Sequence, residues 1–127
     1  MIETRATCLS CMDGRIQLPV IFWIKETYKV DHVDMITEPG MDGLLIDSNY
    51  CNKEINRKVK ISIERNNAIM IFVVAHHDCR GNPVSEEVHK EEIVIAVDCV
   101  KKEFPLMPIV GLWVNAQWNV EVMTKID

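Results

Sequence analysis

Residues 69–83 read IMIFVVAHHDCRGNP. The first seven are apolar without a break and rich in β-branched and aromatic side chains. A half-exposed strand would alternate. An unbroken run marks a strand covered on both faces, as in a parallel sheet between helices. The run ends in two of the chain's four histidines, with a cysteine three positions after the first. His76-x-x-Cys79 therefore puts two metal-type donors at the carboxyl end of a strand, where open α/β sheets bind their ligands.

Working outward, similar β-branched runs recur in IETRATCL, HVDMITE and MPIVGLWVN. Between them lie segments of helical period. QLPVIFWIKETYKV carries Pro19 near its expected start. NKEINRKVKISIERNN spaces Ile55, Val59 and Ile63 four apart, with Lys and Arg opposite. The segment after Asn82 opens on Glu86 and Glu87 and closes on Lys101 and Lys102, the charge order a helix dipole favours. Its apolar face is expected to hold Val88, Ile95, Cys99 and Phe104. GLWVNAQWNVEVM reads as a hairpin turning at NAQ, with Trp113 and Trp118 in the core or at a subunit contact. Strands alternating with helices give an α/β fold. The expectation is one domain over residues 1–127, a mostly parallel sheet flanked by helices, with a C-terminal antiparallel edge strand.

A chain of 127 residues can bury a real core, and 48% apolar content agrees. The net charge of −5, with no basic stripe, argues against nucleic-acid binding. No apolar run approaches the ~20 residues a membrane span needs, so no membrane partner is expected. The start, MIETRATCLS, lacks the apolar core of a signal peptide, so a cytoplasmic location is expected. Five cysteines at irregular spacing suit metal or catalysis better than a disulfide framework. Cys51 and Cys99 read as ordinary core or boundary residues.

A second short stretch, CMDGR, holds Cys11, Asp13 and Arg15 after the first strand. The chain between Cys11 and His76 is long enough for two helices and a strand, so the two strand ends can lie side by side. Zinc favours thiolate and imidazole donors in a tetrahedron. Cys11, His76 and Cys79 would supply three, leaving the fourth position open as in a catalytic site. Cys8 offers a rival: CLSC with His76 and Cys79 would close a structural Cys3His site. Residues three apart on a strand point to opposite faces, which disfavours it. A redox Cys-x-x-Cys needs a helix start, and MDGRI offers little for one. Asp13 and Arg15 could also be a surface ion pair of little worth. His77 could be a proton shuttle, a buried neighbour or a surface group. His32 and His89 are expected to be exposed. Arg80 could bind an anion or pair with an acid.

Taken together, CMDGR and HHDC resemble the β-class carbonic anhydrases, which show Cys-x-Asp-x-Arg after the first strand and His-x-x-Cys after a later one. DMITEPGMDG is similar to the family's intervening strand and its glycine-containing turn. The resemblance runs from residue 5 to about residue 115. It implies zinc on Cys11, His76 and Cys79, an Asp13–Arg15 dyad beside the metal, and reversible hydration of carbon dioxide to bicarbonate by a zinc-bound hydroxide. It also implies assembly as a homodimer or a multiple of one. Alternatives are a catalytically silent zinc-bound domain that binds an anion or a protein, and a hydrolase of carbonyl sulfide or carbon disulfide. The chain departs from the family at Arg80-Gly81, where small residues are common, at Gly14, where serine is common, and in having no N-terminal helical arm.

Overall fold

The computed structural model describes residues 2–127. Five strands form one sheet: β1 (Arg5–Ser10), β2 (His32–Thr37), β3 (Ile71–His76), β4 (Ile109–Val114) and β5 (Val120–Ile126), in the order β2-β1-β3-β4-β5. The first four run parallel; β5 pairs antiparallel with β4 at the edge. The turn between them is built on Asn115, whose Oδ1 accepts from the amides of Gln117 and Asn119, both at 3.0 Å. This is the expected architecture.

The crossovers cover both faces. Helix α1 (Gly14–Tyr28) lies on one; α2 (Met41–Ile46), α3 (Lys53–Glu64) and α4 (Glu86–Glu103) lie on the other. Alternation along β3 divides the core. Ile71, Val73 and Ala75 face α2–α4, whereas Phe72 and Val74 face Ile16, Val20 and Ile24 of α1. Every residue of β3 is buried, as the unbroken apolar run requires. After β1 the chain leaves toward β2; after β3 it leaves toward β4. The loops following these two neighbouring strands therefore diverge, and the crevice between them is a topological switch point. Among the described residues no helix is long and apolar enough to cross a membrane.

Several expectations need correction. Helix α1 begins at Gly14, capped by Asp13, so Pro19 sits inside the helix rather than at its start. The buried face of α4 is His89, Ile93, Ala96, Val97 and Val100, followed by Phe104. Val88 and Ile95 are 39% and 49% exposed instead. The run IVIAV is apolar on all sides and fixes no face, and a polar residue at 89 hid the true stripe. His89 is accordingly not exposed but 1% accessible, whereas His32 lies at the surface as expected. Cys51 is exposed, and Cys99 half-buried. The short helix α2, after a left-handed Gly40 (φ 60°), had been read only as a turn.

Candidate metal centre

The switch-point crevice brings Cys11, His76 and Cys79 together: one donor atom from each lies within 4.8 Å of the others. The two Sγ atoms are 3.9 Å apart. All three residues are buried. His76 ends β3, so its ring is fixed by the sheet. Its Nδ1 bonds the His77 carbonyl at 2.7 Å. That bond assigns the proton to Nδ1 and leaves Nε2 with a lone pair, and Nε2 is buried with no protein partner. A histidine that donates one N–H to a backbone carbonyl and turns the other nitrogen toward two thiols is oriented as a metal ligand is.

The thiols are unequal. Cys79 donates to Cys11, and this bond drives the Cys11 pKa down; burial opposes it, and the Gly40 and Asp13 amides add to it. The same bond, with burial, pushes Cys79 up. The Gly40 N–H reaches Cys11 Sγ at 3.5 Å. Cys8 takes no part in the donor group. Burial lifts its pKa to about 12, against a weaker pull from Ser10, so it remains a neutral core thiol. Strand alternation does not set Cys8 apart, because Cys11 lies past the end of β1 and packs in the same apolar cluster as Cys8.

Asp13 and Arg15 flank the donors. Asp13 caps α1, its Oδ1 accepting from the Arg15 amide at 2.9 Å. The Arg15 guanidinium grips the same carboxylate, with Nη2–Oδ2 at 2.7 Å. Hydrogen bonding to Arg15 holds the Asp13 pKa at about 2 despite partial burial. Arg15 is held further by Asp78, through Oδ2 and the backbone carbonyl, both at 3.1 Å, and lies 4.9 Å over the Trp118 ring. Asp78 and Trp118 were not read as site residues. Asp78 stood in plain view inside HHDC, but only the left-handed turn at residue 78 (φ 56°) points it back to Arg15. Trp118 arrives from the β4–β5 turn, and nothing local in the sequence ties it to residue 15. His77 is exposed, with its ring 6.4 Å from Trp118. A cavity of about 310 Å³ opens beside Cys11, lined by Cys11, Met12, Asp13, Pro39, Arg80 and Gly81. Arg80 has no ion pair or side-chain hydrogen bond among the described residues, whereas Arg15 is fully engaged.

A second buried polar group lies behind this crevice. His89 Nδ1 and Asp42 Oδ2 are 2.6 Å apart, and Glu92 completes the cluster. None of the three was read as functional.

A family model described as "Putative carbonic anhydrase" matches residues 1–124. The chain belongs to this carbonic anhydrase family. No curated protein matches it in sequence. Among solved structures it is similar to β-carbonic anhydrase isoform I of Trichomonas vaginalis, at 17% identity and a TM-score of 0.63, over 92% of this chain and 81% of that one. The carbonic anhydrase of Streptococcus mutans is similar at 15% identity and 0.63, over 93% and 81%. A tetrameric β-carbonic anhydrase of Sordaria macrospora follows at 9% and 0.60, over 98% and 84%. At these identities the likeness is one of fold.

Proposed function

We propose that this carbonic anhydrase relative binds one zinc ion through Cys11, His76 and Cys79 and catalyses the reversible hydration of carbon dioxide to bicarbonate. The observation that carries the reading is the donor trio itself. Two buried thiols and an unpartnered His76 Nε2 converge beside an open cavity. Two thiolates and one imidazole fit zinc, and three protein ligands leave a position for water or substrate. Zinc bound there would supply the acidity that makes water a nucleophile near neutral pH.

The chain's own residues do the rest. Asp13, kept ionised by Arg15, would accept a hydrogen bond from the attacking water or hydroxide and so aim its lone pair at the carbon. Arg15 also restrains Asp13 from filling the open position itself; Asp78 and Trp118 hold Arg15 in place for that task. Carbon dioxide needs only placement, for which Met12 and Pro39 give apolar walls. Arg80, a cation without a protein partner at the mouth, suits bicarbonate on its way in or out.

We assign assembly as a homodimer or larger to the α1 face beside the mouth. Met12, Leu18 and Phe22 are each 60% or more exposed there, and Val122 on the β5 edge is 47% exposed. The tetrameric relative from Sordaria macrospora supports association. Light scattering at micromolar concentration should give a mass of at least two chains; a monomer would overturn this part.

The decisive experiment is stopped-flow carbon dioxide hydration by the zinc-loaded protein, beside carbonyl sulfide and carbon disulfide. A rate above buffer background that rises toward alkaline pH is expected, because two thiolates leave zinc a weaker Lewis acid than three histidines would. No rate with carbon dioxide from pH 7 to 9 would sink the proposal. Turnover of the sulfur substrates alone would reassign the enzyme.

A further inference from the structure

The two thiols of the proposed metal site are held by a junction that has its own support. Gly81, two residues after Cys79, packs against the Pro39-Gly40 turn so closely that a Cβ on Gly81 would lie 2.6 Å from the Gly40 nitrogen. A Cβ on Gly40 would meet the Asn82 Cβ and the Gly81 carbonyl oxygen at 2.7 Å, and one on Gly43 would meet Asn82 Nδ2 at 2.8 Å. The Asn82 side chain thus lies in a nest that only glycines at 40 and 43 allow. On its far side Asn82 Nδ2 donates to Glu92 Oε2 at 2.7 Å. Glu92 meets Asp42, and Asp42 is fixed by His89 at 2.6 Å with both side chains 2% exposed. At the front of the junction the Gly40 amide points at Cys11 Sγ.

We propose that Asn82 and Glu92, backed by Asp42 and His89, form a clamp that presses the Cys79 loop onto the Gly40 turn and sets the separation of the two thiols. They are positioning residues, and the proposal rests on Cys11, His76 and Cys79 being the metal ligands. Two carboxyls in contact, as Asp42 and Glu92 are, need a proton or a cation between them. The proton is the better fit. Burial and Asp42 push the Glu92 pKa up, the direction that favours a proton shared between the two carboxyls. A cation on His89 Nδ1 would instead force the ring proton onto Nε2, which is buried with no partner.

The test compares wild type with Asn82→Ala, Glu92→Gln, and the double variant Asn82→Asp/Glu92→Gln, in which donor and acceptor trade places. Two quantities are measured: zinc affinity by chelator competition, and amide hydrogen exchange of residues 77–85 in the metal-free chain. Asn82→Ala should bind zinc about 10–100-fold more weakly. Its 77–85 segment should exchange faster while β3 and α4 keep their protection. The swapped pair should recover most of the affinity, which a general loss of stability would not allow. Unchanged affinity and exchange in Asn82→Ala would overturn the clamp. So would two zinc ions per wild-type chain with one lost in Glu92→Gln, which would make the cluster a second metal site. Faster exchange in Asn82→Ala beside a wild-type chain that binds no zinc would uphold the clamp and remove the ligand assignment instead.

Discussion

His76 and His89 are both buried, and each leaves Nε2 without a partner. They differ in what surrounds them. His76 spends Nδ1 on a backbone carbonyl and looks across at two thiols beside a cavity. His89 spends Nδ1 on a carboxylate and packs at a tilt against Trp113, its ring 5.6 Å away. An unsatisfied ring nitrogen is therefore not a ligand signature by itself. The first histidine is poised to gain a bond from outside the chain; the second has already made its strong one inside it.

The largest effect that could break this contrast is loss of metal. Replacing Cys11, His76 or Cys79 should take zinc from about one per chain to near zero by elemental analysis, while Cys8→Ser should retain it. Metal stripped by Cys8→Ser would mean that the fourth position is closed.

Next comes stability. His89→Ala takes the short hydrogen bond of ring Nδ1 from the buried Asp42 carboxylate and should cost about 2–3 kcal/mol in denaturant unfolding. His76→Ala in the metal-free chain breaks one bond to a carbonyl and should cost about 1 kcal/mol. Equal costs would erase the distinction between the two histidines.

Smaller again is the dyad. Arg15→Ala should keep its zinc but lose activity, by a factor of about 10–100, as Asp13 swings onto the open position. Full activity in that variant, or loss of its zinc, would remove Arg15 from the role proposed.

The mildest test sets an outlying carboxylate against the buried Asp42. Burial raises the Asp34 pKa, but hydrogen bonds from Asn66, Ser62 and Arg5 together outweigh it, and the net direction is down. A carboxyl whose folded value is depressed stabilises above the unfolded value of about 3.9, and that contribution is lost as pH falls toward the folded value. Asp34→Asn should therefore be less stable than wild type by less than about 1 kcal/mol at pH 7, since the pair with Arg5 is partly exposed. The gap should begin to narrow below about pH 4 and go on narrowing as the acid limit is approached. A gap unchanged at pH 3 would contradict the sign.

The sheet was legible because β3 and β4 are unbroken apolar runs and the other strands are rich in β-branched residues, and the donors because they follow the ends of two strands. The helix faces were less so. In α3 the apolar residues stand alone among charges, and Ile55 and Val59 were placed correctly. In α4 the apolar run surrounds the helix, and only packing against the sheet chooses a side. The Asp42–His89–Glu92 cluster was invisible for a related reason. It joins α4 to a six-residue helix that no periodicity announces, and polar residues read as surface until a partner is known. Asp78 and Trp118 depend on left-handed turns, which leave little trace when the residue is not glycine.

Cys11 and Cys79 lie 68 positions apart in the chain, yet a bound ion would join the loops after β1 and β3. The site cannot exist until those two strands have paired, which waits on the closure of a long loop. An ion captured there ties the first strand to the third much as a staple would, and it draws the thermodynamic cost of that loop from the unfolded chain. Metal uptake would then be a timestamp: followed during refolding, it would report the moment at which the two halves of the sheet first meet.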